Sequence, residues 1–320
     1  MPKLTPRTRR VLLRVAAVIV IAAVAVLFVI ALVRGWDRVQ EYDVAVDWSW
    51  PTSLVIFALA VASSGLLWWR VLARVAPEIE TPWWEAVRSH LGGWVVRYIP
   101  GVGSLLYKIR WAEDRGYSRL DAFVAFTYEN VFLQLASIVG GGAVLVAVIG
   151  LDFFAGNIVV VVLVGLLVVA MLVALSRPVM ERVLSFLATR RFRERVEAVR
   201  LIPTGRSLVF VIEYLVPRVI NGGGVILIAI ALFGLEGNDL LLVAAAYTVA
   251  GALGILAVFV PSGLGVREGS FVLLLTAGGI DPVDAVVLAV VARFVSTLAD
   301  LLVAAGYGLL TLAHRKATRA

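Results

Sequence analysis

Six apolar runs, at about 12–33, 53–73, 120–149, 157–175, 207–233 and 284–312, are each long enough to cross a hydrocarbon core about 30 Å thick. Hydrocarbon offers no water to free backbone N–H and C=O groups, so such runs must close their hydrogen bonds internally, as helices. Composition agrees: 61% of the 320 residues are hydrophobic and 16% charged, against about 25% charged in soluble domains. With the two apolar hairpins described below counted among the hydrophobic segments, the longest interval between them, about Ser176 to Ser207, falls short of the ~50 residues of a small soluble domain. The expected fold is an all-α polytopic membrane protein in a single membrane domain.

Charge orients the spans. Lys3, Arg7, Arg9, Arg10 and Arg14 precede the first run, placing the N-terminus in the cytoplasm. Segment 177–206 carries Arg177, Arg182, Arg190, Arg191, Arg193, Arg195, Arg200 and Arg206, and the C-terminus Arg315, Lys316 and Arg319. The outer loops hold mainly Asp and Glu, so a multi-pass cell-membrane protein with both termini cytoplasmic is expected. The run Val15–Val33 spans 19 residues, longer than the 7 to 15 of a cleaved signal, and reads as a retained span.

Two Pro/Gly breaks interrupt further apolar segments. Arg97-Tyr98-Ile99-Pro100-Gly101-Val102-Gly103 divides a hairpin at 85–112, and Pro261-Ser262-Gly263-Leu264-Gly265-Val266-Arg267-Glu268 divides another at 240–279. Interrupted helices inside a bilayer must face protein or a water-filled cavity, and paired interruptions point to a transporter's binding site. The first hairpin starts and ends inside, the second outside, so the units run in opposite senses as an inverted repeat. The chain then divides into 1–52, a span and outer loop; 53–149, the first repeat; 150–206, a span and basic cytoplasmic segment; and 207–320, the second repeat. Alternatively, Leu240–Val260, at 21 residues, crosses fully and leaves Pro261–Glu268 at the inner surface.

Several chemistries are excluded or disfavoured. With no cysteine there are no disulfides or thiolate sites. The two histidines, His90 and His314, lie far apart and near membrane boundaries, and read as interfacial rather than metal-binding. The +7 net charge is explained by inner loops better than by nucleic acid. There is no GxxxxGK(S/T) loop and no nucleophile–base arrangement, so neither a cofactor nor an enzymatic activity is expected.

Charges at depth mark a candidate site. Glu129 lies ten residues beyond Arg119, about 15 Å in, and Arg293 lies nine beyond Asp284. Intramembrane ionisable groups are functional-site hypotheses by default, and their similar depth and opposite charge suggest that these two pair. Arg293, Asp300 and Tyr307 share a face of the last span; Glu213, Tyr214, Arg218 and Asn221 line the fifth. Gly263, Gly265 and Arg267 could grip a phosphate at a half-helix N-terminus, with Glu268 balancing Arg267 when it is empty. Arg97, Lys108 and Arg110 read equally as interfacial anchors or ligand contacts. The glycine triplets 140–142 and 222–224 read as helix packing.

Arg97-Tyr98-Ile99-Pro100-Gly101, Gly116-Tyr117-Ser118, Glu129, the Pro261–Glu268 element and Arg293 together resemble the lysylphosphatidylglycerol synthase transmembrane-region family over most of the chain. That resemblance implies movement of a lipid with a phosphate-bearing head group, as in the membrane domain of the multiple peptide resistance factor. It does not extend to synthase activity, because no aminoacyl-transferase domain is expected after Ala320. Where many relatives have arginine after the glutamate of the third span, this chain has Asn130. The candidate substrate-binding set is therefore Arg97, Pro100, Gly101, Glu129, Arg218, Pro261, Gly263, Gly265, Arg267, Glu268, Arg293 and Asp300. The expected function is flippase-like carriage of a phospholipid or polyprenyl-linked glycan. The rival is a non-catalytic membrane partner of a glycosyltransferase or lipid-modifying enzyme.

Overall fold

A computed structural model describes residues 47–98, 103–187, 200–256, 263 and 265–317. The expected first span at 12–33 lies outside the described residues, as do Pro100, Gly101 and Pro261. All regular structure among the described residues is helical. In chain order it comprises α1 (Ser49–Val75), α2 (Trp83–Val95) ending in a 3₁₀ turn (Val96–Tyr98), α3 (Gly103–Glu113), α4 (Arg119–Leu135), a π turn (Ala136–Gly140) and α5 (Gly141–Ile149). The short α6 (Leu151–Gly156), α7 (Ile158–Ala174) and α8 (Arg177–Leu187) follow, then α9 (Thr204–Glu213), α10 (Leu215–Phe233), α11 (Asn238–Leu256), α12 (Val266–Ala277) and α13 (Pro282–Ala317).

Among the described residues, five helices are long and apolar enough to cross a membrane: Ser49–Val75, Arg119–Ile149, Thr204–Phe233, Asn238–Leu256 and Pro282–Leu312. Four match expected spans. The expected span at 157–175 forms the shorter α7, and α11 joins the candidates, in keeping with the alternative reading of 240–260 as a full crossing rather than a hairpin arm. Its 19 residues reach about 28 Å, whereas the 12 of α12 reach about 18 Å and cannot cross alone. In the first hairpin, α2 and α3 have 13 and 11 residues, about 20 and 16 Å, so both arms are short.

The two hairpins return to the next long helix through the same local chemistry. Gly116 and Gly279 adopt φ of 88° and 98°, which glycine reaches without a Cβ penalty. Behind them the Tyr117 N–H donates to the Ala112 carbonyl and the Ile280 N–H to that of Leu275, each at 3.1 Å, as in a Schellman closure. The next helix then starts on a capping side chain. Ser118 Oγ accepts from the Asp121 N–H at 3.0 Å, and Asp281 Oδ1 from the Val283 N–H at 2.8 Å.

Packing forms two cores. One gathers Trp68, Val71 and Leu72 of α1, Trp111 of α3, Tyr128 and Phe132 of α4, and Phe210 and Tyr214 from the α9–α10 junction. The other gathers Val225 and Ile228 of α10, Leu242 and Tyr247 of α11, Phe271 of α12 and Leu288 and Val295 of α13. A seam of Val61, Val87, Leu91 and Val303 joins α1, α2 and α13. The most extensive helix pair is α1 with α10, and small residues allow their approach. A Cβ on Gly224 would fall 2.9 Å from the Phe57 ring, and one on Gly222 would fall 3.1 Å from Ala244 Cβ of α11. The packing role expected of these glycines is what they perform.

Candidate functional site

The site begins with a buried charge cluster in the first half. Lys108 projects from α3, a helix short enough to look interfacial in sequence, yet it is 2% exposed; Glu129 of α4 is 4% exposed and His90 of α2 5%. Lys108 Nζ donates to Glu129 Oε2 at 2.5 Å, and His90 Nδ1 lies 2.9 Å from Glu129 Oε1. The Trp68 ring lies beneath the ammonium, 4.1 Å from Nζ, and Gly93 keeps α2 close to the Lys108 stem. The interfacial readings of His90 and Lys108 are thus corrected: a carboxylate ten residues into the next helix draws both inward, because a buried charge is tolerated only with its counter-charge.

The second half holds its own pair. Arg293 Nη1 of α13 lies 3.5 Å from Glu268 Oε1 on α12, and Glu268 Oε2 accepts the Gly265 N–H at 2.7 Å, satisfying an otherwise unpartnered helix-terminal donor. The expected Glu129–Arg293 pair therefore does not form; each charge is neutralised within its own half, by the returning arm of the hairpin before it. Nor does Glu268 balance Arg267. The Arg267 guanidinium instead covers the Tyr247 ring, 4.5 Å from its centroid. Arg218 of α10 is near enough to Arg267 for their like charges to interact, and its Nε is buried without a hydrogen-bond partner among the described residues. Tyr247, Arg267, Glu268, Phe271, Ala289 and Arg293 line a narrow crevice.

Residues 11–304 match the family described as the lysylphosphatidylglycerol synthase transmembrane region. The chain belongs to that family. No curated protein and no solved structure matches it.

In this member of the lysylphosphatidylglycerol synthase transmembrane-region family, Arg97 and Asp300 connect the halves. Arg97 Nη2 donates to Asp300 Oδ2 at 2.6 Å, Trp94 Nε1 donates to Asp300 Oδ1 at 2.7 Å, and the guanidinium stacks 3.8 Å over the Trp94 ring. Two turns beyond Asp300 on the last helix, the Tyr107 hydroxyl donates to that of Tyr307 at 3.1 Å. Arg97 is thus neither a lipid-facing anchor nor a lone cation. Of the fifth-span face, Glu213 pairs with Arg70 of α1 at 2.9 Å, and Tyr214 is buried against Phe132.

Sequence reasoning brought Glu129, Arg218, Arg267, Glu268, Arg293, Arg97 and Asp300 to attention, and the structure distributes them over three contacts rather than one. It read His90 as interfacial, left Lys108 equally an anchor or a ligand contact, and missed Trp94 and Tyr247. The available signal was spacing: His90 and Lys108 lie 18 residues apart on the two arms of the first hairpin, and glycines 92 and 93 of the first arm let the second approach closely.

Gly263 shows how tightly the second hairpin closes. Its φ is +64°, and a Cβ there would lie 2.6 Å from the Gly254 Cα. Left-handed backbone with a side chain costs about 1–2 kcal/mol before any clash. Gly263→Ala is therefore expected to lower the thermal midpoint of the purified protein, whereas Gly269→Ala, with open space around its Cβ position, leaves it near that of the parent.

Proposed function

We propose that this chain carries an amphiphile with a phosphate-bearing head group, a phospholipid or a polyprenyl-linked glycan, between the leaflets of the cell membrane, without enzymatic chemistry. The observation that carries this reading is the gathering of Arg218, Arg267 and Arg293 beside the α12 N-terminus, where Glu268 already occupies the Gly265 N–H as an internal anion. A phosphate arriving there meets guanidinium groups that favour bidentate contact, and it competes with a carboxylate for the helix-terminal N–H. Gly254 and Gly263 let the hairpin backbone and the Arg267 side chain pack closely at this end of the crevice.

An inverted repeat supports carriage. In the first unit α1, the α2–α3 hairpin and α4–α5 pack in succession; α9–α10, the α11–α12 hairpin and α13 repeat the pattern. Cross-contacts correspond too: α2 meets α13 as α11 meets α5, and α1 meets α10. The matched glycine closures and caps at 116–121 and 279–283 add to this. Rocking of one repeat against the other is the usual basis of alternating access. With both termini cytoplasmic, the hairpins enter from opposite faces.

Purified protein in vesicles containing fluorescent phosphatidylglycerol should speed exchange of that lipid between leaflets over protein-free vesicles, read by loss of fluorescence to a membrane-impermeant quencher. Failure across phosphatidylglycerol, phosphatidic acid and a polyprenyl phosphate would overturn the carrier reading. A glycosyltransferase or lipid-modifying enzyme co-purifying from native membranes would then favour the partner role.

A further inference from the structure

His90 stands outside the arginine-lined crevice, and its geometry poses a proton problem. Nδ1 lies 2.9 Å from Glu129 Oε1 and 3.1 Å from Lys108 Nζ. One ring nitrogen cannot donate to the carboxylate and accept from the ammonium at once. With the proton on Nε2, the bare Nδ1 would face Oε1 lone pair to lone pair. With the proton on Nδ1, the ring donates to Glu129, and Lys108 needs only Oε2, to which it donates at 2.5 Å. The second arrangement is the favoured one, and it leaves Nε2 as a bare acceptor. Nε2 is buried and has no partner among the described residues. A buried acceptor without a donor is costly; a proton added there makes Nε2 a donor instead, and the resulting imidazolium is held by an Nδ1–H bond to Glu129 that becomes charge-assisted.

We propose that His90 is a proton-loading site whose occupancy weakens the Arg97–Trp94–Asp300 contact between the first hairpin and the last helix. Without that proton the cluster sums to zero: Lys108 positive, Glu129 negative, His90 neutral. With it the sum is +1. The ring stacks on Trp94, with centroids 6.2 Å apart, and the same indole already carries the Arg97 guanidinium at 3.8 Å and donates to Asp300. A second cation at that indole repels the first. The ionisable groups facing His90 are Lys108 from α3 and Glu129 from α4; Tyr214, at the α9–α10 junction, senses Glu129; α13 contributes Asp300 through Trp94; and α1 contributes the uncharged Trp68, which donates to Ser89. Among the described residues, the buried pair of the second half is a guanidinium and a carboxylate, with no imidazole beside it.

That this proton gates lipid movement rests on the carrier reading; that His90 loads a proton does not. The chain has two histidines, so His314→Gln leaves His90 as the sole imidazole in the full chain. Nitrogen-15 spectra of histidine-labelled protein in lipid nanodiscs should pass from imidazolium at the acid end to an Nδ1–H tautomer at the alkaline end as pH rises from 5 to 9. Glu129→Gln should move the midpoint to lower pH and Lys108→Met to higher pH, each by a tenfold or larger change in proton affinity. An imidazole that keeps one form throughout, or a midpoint that neither variant moves, overturns the site; Lys108→Met decides if Glu129→Gln fails to fold. In vesicles holding fluorescent phosphatidylglycerol, the exchange rate should change across a pH step, and His90→Gln should abolish that response. If the parent moves no lipid at either pH, the carrier reading falls, and the spectra alone judge the proton site.

Discussion

Glu129→Ala is expected to lower the melting temperature more than any other single change at the buried charges. The substitution leaves the Lys108 ammonium and the His90 Nδ1–H inside the protein without an acceptor, where Glu129 now meets both at 2.5 and 2.9 Å. Removing one partner of a buried pair costs about 3–5 kcal/mol, whereas removing the pair together is often close to neutral. The double variant Lys108→Met, Glu129→Gln should therefore recover most of the loss, since glutamine still accepts from His90 and methionine fills the space over Trp68. Tryptophan fluorescence during heating, in detergent or nanodiscs, reads both. A Glu129→Ala protein that melts with the parent would show that the cluster is hydrated rather than buried.

Arg267→Ala should separate stability from function in the other half. Its guanidinium covers the Tyr247 ring and is not the partner of Glu268, which pairs with Arg293. Losing it should leave the melting temperature within a few degrees of the parent while removing one contact to a phosphate. A charge-assisted hydrogen bond contributes about 1.5–3 kcal/mol, or roughly ten- to hundredfold in affinity. Fluorescent phosphatidylglycerol exchange should fall by that order, and combination with Arg218→Ala should abolish it. Arg293→Ala should lose both exchange and stability, because it strips Glu268 of its counter-charge. Undiminished exchange in Arg267→Ala would remove the crevice from the mechanism.

The helices were legible because hydrocarbon leaves the backbone few options, and runs such as 53–73 and 120–149 announce themselves by length. The hairpins were legible as interruptions, whereas the closing role of the glycines at 116 and 279 became apparent from their backbone angles. Depth could also be read, since counting residues from Arg119 and Asp284 placed Glu129 and Arg293 at similar levels. Partnership could not. Depth says nothing of which way a side chain points around its helix, and the nearest opposite charge proved to come from the preceding hairpin arm each time. Lys108 was hidden for a related reason: Arg110, Glu113 and Asp114 beside it suit a water-facing surface, and only tertiary packing distinguishes the one residue of that group that turns inward. Likewise, α11 looked like half of a hairpin because of the break that follows it, although its own length suffices to cross.

The separations within the two buried pairs bear on how the chain enters the membrane. Lys108 and Glu129 are 21 residues apart, and Glu268 and Arg293 are comparably close in sequence. A bare charge is costly in hydrocarbon, so during synthesis each must find its opposite soon after leaving the ribosome. Partners drawn from opposite halves would leave Glu129 exposed to lipid until more than 160 further residues had been made. Neighbouring partners shorten that wait to a single hairpin and helix, so the deepest charges of each unit are neutralised as it is inserted, and the Arg97–Asp300 and Arg70–Glu213 pairs form when the second unit joins the first.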